Sequence, residues 1–549
     1  MCTAVRRCEN PSMVAVEDVG APPVHRHELL TALSRGIDLC MGQPMGHTLG
    51  QTCIALRLAE RAGLDDDARR EVFHTSMLAW AGCHVDSLEQ ATWFGDDHRA
   101  KAGFRTVDFG DEHAEAVYLA RHLGAGQPAA VRRRTIAGFR VDGRRQVDEM
   151  FPNHSFAATA LADALAVPLR ERIGLGHVFE RWDGQGEPDG LGGTEIAFSA
   201  RACDLGDVVM AMWRAGGQDA AVAVARARSG TEFDPGLVEA FCDEAGALFD
   251  ELADAGPLAA VQRVCPALDD AIDGARLDAA LAAIADYVDL KAPSALGHQS
   301  MTAGLVDAAA AECGFAARDR VHVRRSALLH DIGRLGVPAA VWESRRPLTP
   351  AEAEQIRLHP YVTESILEPF PGLRPLGATA GQHHERLDGS GYPRALSGDA
   401  ISPAGRLLAA ADVYSSKAER RPHRAAVPAS DLPAVLREGA REGRLDSAAV
   451  EAVLVAAGHR RRRRRSWPCG LTDREVEVLQ LAARGRSTAE MAEALHVSPK
   501  TVAHHLEHIY VKTGARNRAM LAVFTVRHAL FSGDAAPVRE RAEDGSIAP

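Results

Sequence analysis

Near the C-terminus the apolar residues Val502, Leu506 and Ile509 fall on one side of a 3.6-residue turn, with Lys500, Thr501, His504, His505 and His508 on the other positions. Ser498 is placed to cap this helix and Pro499 to open it. Two helices precede it, each announced by a capping box: Thr472 with Glu475, and Ser487 with Glu490. Gly485 stops the first, and the second is expected to end near His496. Two short capped helices joined by a tight turn predict a helix-turn-helix, its second helix entering the major groove. Upstream lie two long helical regions, about 25–254 and 277–458, separated by an Ala-rich stretch. Aromatic residues are only 5% of the chain, and this scarcity beside abundant alanine favours helix over sheet.

The two long regions repeat one another. The first carries His47, LAWAG ending at Gly82, FERWDGQGEPDGL, and Asp207; the second carries His298, LHDIG ending at Gly333, HERLDGSGYPRAL, and Asp412. His47 and Gly82 are 35 residues apart, as are His298 and Gly333; Asp183 and Asp207 are 24 apart, as are Asp388 and Asp412. Matching long spacings around a shared DGxGxP string predict a duplication. The expected division is a disordered leader at 1–24, a first helical domain at 25–254, and a helical linker at 255–276. A second helical domain at 277–458, an Arg-rich linker at 459–469, the helix-turn-helix domain at 470–532 and a flexible tail at 533–549 complete it.

Charge separates the last module from the rest. From His459 to Leu530, fourteen Lys and Arg stand against six Asp and Glu, a balance of +8 in a chain of net charge −11, so the remainder carries −19. A basic module on an acidic body points to one segment that meets a phosphate backbone. The run Arg460–Arg465 reads as salt-sensitive, nonspecific DNA affinity or as a plain solvated linker. The absence of an apolar run of about eighteen residues excludes a membrane span. Ten cysteines without a CxxC pair imply reduced thiols, and with them a cytoplasmic protein.

The candidate chemistry lies in the second copy. His298, His330, Asp331, His359, His383, His384 and Asp412 offer the imidazoles and carboxylates that a divalent metal takes from separate helices, and an adjacent His-Asp pair can feed one ion and bridge two. By the repeat alignment, His330-Asp331 becomes Ala79-Trp80 in the first copy and His383-His384 becomes Val178-Phe179, leaving His47 and Asp207 of the set. The first copy is therefore expected to have lost its metal and to serve as a sensor, a dimerisation domain or a packing partner.

The strings LLHDIGRLGVP, LTPAEAEQIRLHP, QHHERLDGSGYPRALSGDAI and ADVY resemble the HD-GYP branch of the HD phosphohydrolases over about 277–458. The resemblance implies an all-α fold, with the seven residues above as metal ligands and Gly391, Tyr392 and Pro393 as the GYP signature. It further implies iron or manganese ions that activate water against a cyclic dinucleotide, cyclic di-GMP above all. Arg334 stands where the family usually has Lys, a residue that grips phosphate but donates protons less readily. Ser294 stands where three-metal members have Glu, so two ions are expected, and SSKAER after Asp412 departs from the usual loop.

The string LTDREVEVLQLAARG…STAEMAEALHVSPKTVAHHLEHIYVKTGA resembles the four-helix LuxR-type C-terminal domain almost end to end. The resemblance implies phosphate contacts from Lys500, Thr501 and Lys512, base-edge or backbone contacts from Val502 and His505, and a homodimer. The whole then reads as two tandem HD-type helical domains followed by a LuxR-type domain: a regulator of double-stranded DNA coupled to a cyclic-dinucleotide phosphodiesterase. The alternative is a transcription factor whose HD domain binds a nucleotide effector without turnover.

Overall fold

The computed structural model describes residues 22–265, 271–272, 274–458, 467–495, 497–528 and 530–531. The expected leader up to residue 21, the Arg460–Arg465 run, His496 and the tail from 532 lie outside the described residues. Among the described residues the regular structure is helical except for one pair of two-residue strands, Val24–His25 against Ala271–Ile272. No described helix is long and apolar enough to cross a membrane.

The duplication is visible in three dimensions. Helices His47–Arg61 and His298–Glu312 each begin on a histidine that follows a left-handed glycine, Gly46 (φ 96°) and Gly297 (φ 82°), a backbone conformation that favours glycine. Each DGxGxP loop is pinned by one buried glutamate that accepts two backbone N–H groups. Glu180 takes Asp189 and Leu191 at 2.9 Å each, and Glu385 takes Arg394 and Leu396 at 2.9 and 2.8 Å. Both loops also need glycine at the same place, since a Cβ on Gly186 or Gly391 would lie 2.4 Å from the backbone beside that glutamate.

The copies do not fold on separate cores. One continuous apolar cluster runs from Val24 to Val453 and takes side chains from both. The exchange is reciprocal. Helix Arg26–Cys40, which opens the first copy, packs on the Ile332–Gly336 turn of the second, and its Arg35 donates to the Ser365 carbonyl at 2.9 Å. Helix Gly274–Asp289, which opens the second copy, packs on Arg144–Ala164 of the first, and Tyr287 Oη donates to the Ala81 carbonyl at 2.5 Å.

Gly82 and Asp183 are 101 residues apart in the first copy, against 55 between Gly333 and Asp388, so the first copy holds an insertion. It forms the short helices Ser87–Phe94, Asp97–Phe104, Glu112–His122 and Ala129–Gly138 around an aromatic core of Trp93, Phe94 and Tyr118. The last module has its own core, built on Val478, Leu479, Met491, Val502, Ile509 and Leu521. Both capping boxes form, Thr472 with Glu475 and Ser487 with Glu490, and Ser498 caps the recognition helix Pro499–Thr513.

The close approach at Gly82 is testable. A Cβ there would fall 2.3 to 2.6 Å from the His154 backbone, so Gly82→Ala should destabilise the chain by about 1–3 kcal/mol or more. Gly138→Ala, on a helical backbone with open space around the new methyl, should instead stabilise by up to about 1 kcal/mol. Thermal denaturation of the two variants should move in opposite directions.

Candidate metal centre and nucleic-acid face

Five elements bring the seven predicted residues of the second copy together. His298 opens one helix, His330 and Asp331 end another, His359 lies within Pro350–Leu367, His383 and His384 follow Arg374–Ala380, and Asp412 lies within Pro403–Ala418. The two carboxylate oxygens of Asp331 face different groups. Oδ1 lies 3.1 Å from His359 Nε2 and 3.6 Å from His383 Nε2; Oδ2 lies 3.5 Å from His298 Nε2 and 3.3 Å from His330 Nε2. Asp412 closes both sides, with Oδ1 3.2 Å from His298 Nε2 and Oδ2 3.5 Å from His384 Nδ1.

The rings are locked from behind. His330, His359 and His383 each donate from Nδ1 to the carbonyl three residues earlier, at 2.6, 2.5 and 2.7 Å. That bond fixes the tautomer and turns the Nε2 lone pair toward the centre, the arrangement metal-binding histidines use. Two observations say that this centre wants a cation. The Nε2 atoms of His359 and His383 stand 3.0 Å apart, lone pair toward lone pair, and the buried His330 Nε2 has no hydrogen-bond partner. The donor set, imidazole with carboxylate, fits a divalent transition metal.

Electrostatics point the same way. Burial alone would push the Asp331 carboxyl up, but the Arg334 guanidinium at 2.7 Å and the His330 ring hold it well below the usual carboxylate range. His383 is pushed down to about 3, chiefly by burial and then by the neighbouring His330 and His359 rings, so it stays neutral and able to ligate. Burial also pulls on His298, yet Glu419 and Asp412 outweigh it and raise that ring to about 10.

Three contributors escaped sequence reasoning. Glu419, inside the SSKAER string that departs from the family, accepts from His298 Nδ1 at 2.9 Å. Trp342 lies 4.3 Å from the Arg334 guanidinium and edge-on to His359. The third is in the first copy: His154 occupies the place of His359, because each backs onto the equivalent glycine, Gly82 and Gly333. The spacing carried this signal, since His154 precedes Asp183 by the same 29 residues that separate His359 from Asp388.

The first-copy site is filled with protein. Asp207 forms an ion pair with Arg105, whose Nε lies 2.5 Å from Oδ2, and pairs with His47 at 2.8 Å, while the Arg105 guanidinium lies 5.2 Å from the Trp80 ring centre. Trp80 and Phe179 meet edge to face, and His154 donates its Nε2 proton to the Ala79 carbonyl at 2.6 Å. A guanidinium from the insertion thus stands where the second copy gathers imidazoles.

On the DNA-binding module, Lys500, Thr501 and His504 are exposed and His505 is half-buried. Val502 is a correction: its side chain is fully buried in the module's core, packed there by the same helical spacing that places Leu506 and Ile509, and it reaches no base edge. Lys512 spends its ammonium inside the module, on Glu475 at 2.7 Å and the Gly470 carbonyl at 3.1 Å. Helix Arg518–Arg527 packs on helices Gly274–Asp289 and Arg144–Ala164, and Asn517 donates to Asn153 at 3.1 Å. Phe531 sits directly on Gly297, beside His298, with the Arg484 guanidinium 4.8 Å from its ring centre. In the first copy that same glycine position, Gly46, is covered by Pro257.

Residues 282–449 match the family model described as HD domain, and residues 470–525 match that of bacterial regulatory proteins, luxR family. The matched segments are thus an HD domain followed by a LuxR-type regulatory domain, and several relatives are named as phosphodiesterases of cyclic dinucleotides. It is 29% identical over 416 residues to 3'3'-cGAMP-specific phosphodiesterase 3 of Vibrio cholerae serotype O1, a match covering 75% of this chain and 90% of that protein. It is 34% identical over 177 residues to the cyclic di-GMP phosphodiesterase response regulator RpfG of Xanthomonas campestris pv. campestris, covering 32% and 46%. Among solved structures, the crystal structure of a cyclic GMP-AMP specific phosphodiesterase of V. cholerae (V-cGAP3) superposes with a TM-score of 0.57 at 25% identity, over 80% of this chain and 99% of that one. A span of that length takes in both copies.

The two faces of the recognition helix should separate cleanly by mutation. Val502→Asp buries an unpaired charge and should abolish the thermal transition of the C-terminal module. Lys500→Ala should leave that transition in place, weaken DNA binding across all sequences, and lower the salt slope of log K by about one. Calorimetry and salt-dependent binding isotherms check both.

Proposed function

We propose that this chain is a DNA-binding regulator whose second HD copy is a metal-dependent phosphodiesterase of cyclic dinucleotides. The reading rests above all on Asp331, whose two oxygens each face a separate group of imidazoles. In this reading His298, His330 and Asp412 hold one divalent ion and His359, His383 and His384 the other, with Asp331 between them. Iron and manganese both suit such donors. Bound there, the ions supply Lewis acidity, lowering the pKa of water and drawing charge from a phosphoryl oxygen. The chain's own part is to fix the rings through their Nδ1 bonds and keep Asp331 ionised. It also presents Arg334 to phosphate and brings Tyr392 to 4.8 Å from His384 at the mouth of the site.

The names of the relatives support a substrate class. The V. cholerae protein matched over most of its length is named for 3'3'-cGAMP, while the shorter matches are named for cyclic di-GMP. Both are 3'–5' linked dinucleotides that contain guanine, and we place the substrate in that class. One observation favours a second reading, an effector-binding regulator without turnover. Arg334 Nη1 lies 2.7 Å from Asp331 Oδ2, a bond of the kind by which Arg105 fills the first copy. In either reading Phe531 joins the DNA-binding domain to the His298 flank of the site, while Asn517 joins it to Asn153 of the first copy. Double-stranded DNA is the partner through Lys500, Thr501 and His505, and the assembly is a homodimer.

The deciding measurement is turnover of 3'3'-cGAMP and cyclic di-GMP by protein prepared without oxygen and loaded with Fe(II) or Mn(II), beside Asp331→Ala. Linear dinucleotide from the parent, lost with the metal in the variant, is expected. A fully loaded parent that yields no product from either nucleotide would favour the effector reading or a different phosphate substrate. Phe531→Ala tests the coupling: turnover should persist, while the difference in DNA affinity between nucleotide-treated and untreated protein should shrink toward none. An unchanged difference would show that the Phe531 contact carries no signal.

A further inference from the structure

The insertion of the first copy borders an open cavity of about 520 Å³, on which Arg99, Arg121 and Arg346 are exposed. Its walls include Phe94, Arg99, Arg121, His122 and Gln127 from the insertion and Arg346 from the second copy. The charge here is unusual for so acidic a chain. The side chains of Arg99 and Arg121 have no ion pair or hydrogen bond among the described residues. His122 stacks on Tyr118 at 4.0 Å and donates from Nδ1 to the Tyr118 carbonyl, leaving Nε2 unengaged. Arg346 is held on Glu352, and the one carboxylate on the wall, Asp96, is used to cap its own helix by accepting from the Arg99 N–H.

The backbone adds to this charge. The loop Gly124–Pro128 turns through two left-handed glycines, Gly124 (φ 60°) and Gly126 (φ 76°), and leads into helix Ala129–Gly138. That helix has Pro128, which lines the cavity, at its N-cap and no side-chain cap, so its first N–H groups have no intrahelical partner. Free guanidinium forks, a helix N-terminus and an aromatic wall in one concave space are the elements that hold phosphate groups and the ring attached to them.

We infer that this cavity is a second ligand site, for a nucleoside polyphosphate, separate from the His/Asp centre. Its volume suits one nucleotide and falls within the usual range of small-molecule pockets. Two guanidiniums without partners match several phosphate charges better than one. The site also bridges the two copies. Arg346 follows closely on Trp342, whose ring lies against Arg334 and His359, and the helix bearing Trp342 is tied to the insertion by Ala339 N–H donating to Asp97 at 2.9 Å. A ligand spanning Arg121 and Arg346 would therefore clamp the insertion onto the element that flanks the metal centre. This supplies a use for a copy that has lost its own ligands.

Equilibrium dialysis of the full chain with radiolabelled GTP tests the site. Parent protein and Asp331→Ala should bind one equivalent with the same affinity, because the His/Asp centre takes no part. Arg99→Ala combined with Arg121→Ala should bind at least about tenfold more weakly while keeping the parent's metal content and thermal transition. Inorganic triphosphate should displace the label but require about tenfold more than GTP itself. The inference is overturned by undiminished binding in the double variant, by loss of binding in Asp331→Ala, by equal competition from triphosphate, or by no saturable binding at millimolar GTP.

Discussion

Two aspartates, Asp207 and Asp412, are buried at equivalent positions of a duplicated helical scaffold, and a buried carboxylate must be given positive charge or hydrogen bonds. The two copies meet this requirement differently, and most of the molecule follows from the difference. Around Asp207 the insertion delivers Arg105, whose guanidinium takes the carboxylate while stacking on Trp80. The site is thereby complete without an ion. Around Asp412 and Asp331 the chain supplies imidazoles instead, held so that several Nε2 lone pairs converge. Histidine can be neutral and donate to a metal, whereas arginine cannot. The second copy is therefore left incomplete in a way that a divalent ion satisfies.

The same contrast explains how much could be read from the sequence. The duplication was legible because it is written in spacing, and the ligand set because HD, HP, HH and DGSGYP carry distinctive side chains. The capping boxes of the last module were legible because capping is local. What stayed hidden depends on long-range placement. Arg105 reaches Asp207 across about a hundred residues, from an insertion with no counterpart in the other copy. Glu419 lies in the string that looked like a loss of function, yet its carboxylate orients His298. Val502 was assigned both to the buried side of its helix and to the DNA; a fully buried position allows only the first. His154 lies 29 residues before Asp183, as His359 lies before Asp388, but no HP string marks it: Ser155 follows it where Pro360 follows His359.

The single core also changes what the word domain means here. Each copy's opening helix packs against the HD turn region of the other, so neither copy can be removed without stripping apolar surface from its partner. At about 25 cal/mol per Å² such surface is costly to expose. This accounts for the persistence of a copy without metal ligands: its packing is half of the active copy's own fold. The shared span with V-cGAP3, which takes in both copies, is consistent with a unit that folds as a pair.

The DNA-binding module extends that logic. Its last helix and Phe531 rest on helix Gly274–Asp289 and on Gly297, while the recognition helix keeps Lys500 and Thr501 in solvent. The contact leaves the reading head open and engages the flank of the metal centre. Gly297 cannot yield to it by bearing a side chain, because its φ of 82° favours glycine and a Cβ there would lie 2.1 Å from Phe531. A change at His298 and a change in the seating of Phe531 therefore involve the same few ångströms of backbone. Coupling between two sites is reciprocal in free energy. If a ligand at the His/Asp centre alters DNA binding through this seat, DNA must alter the binding of that ligand by the same factor.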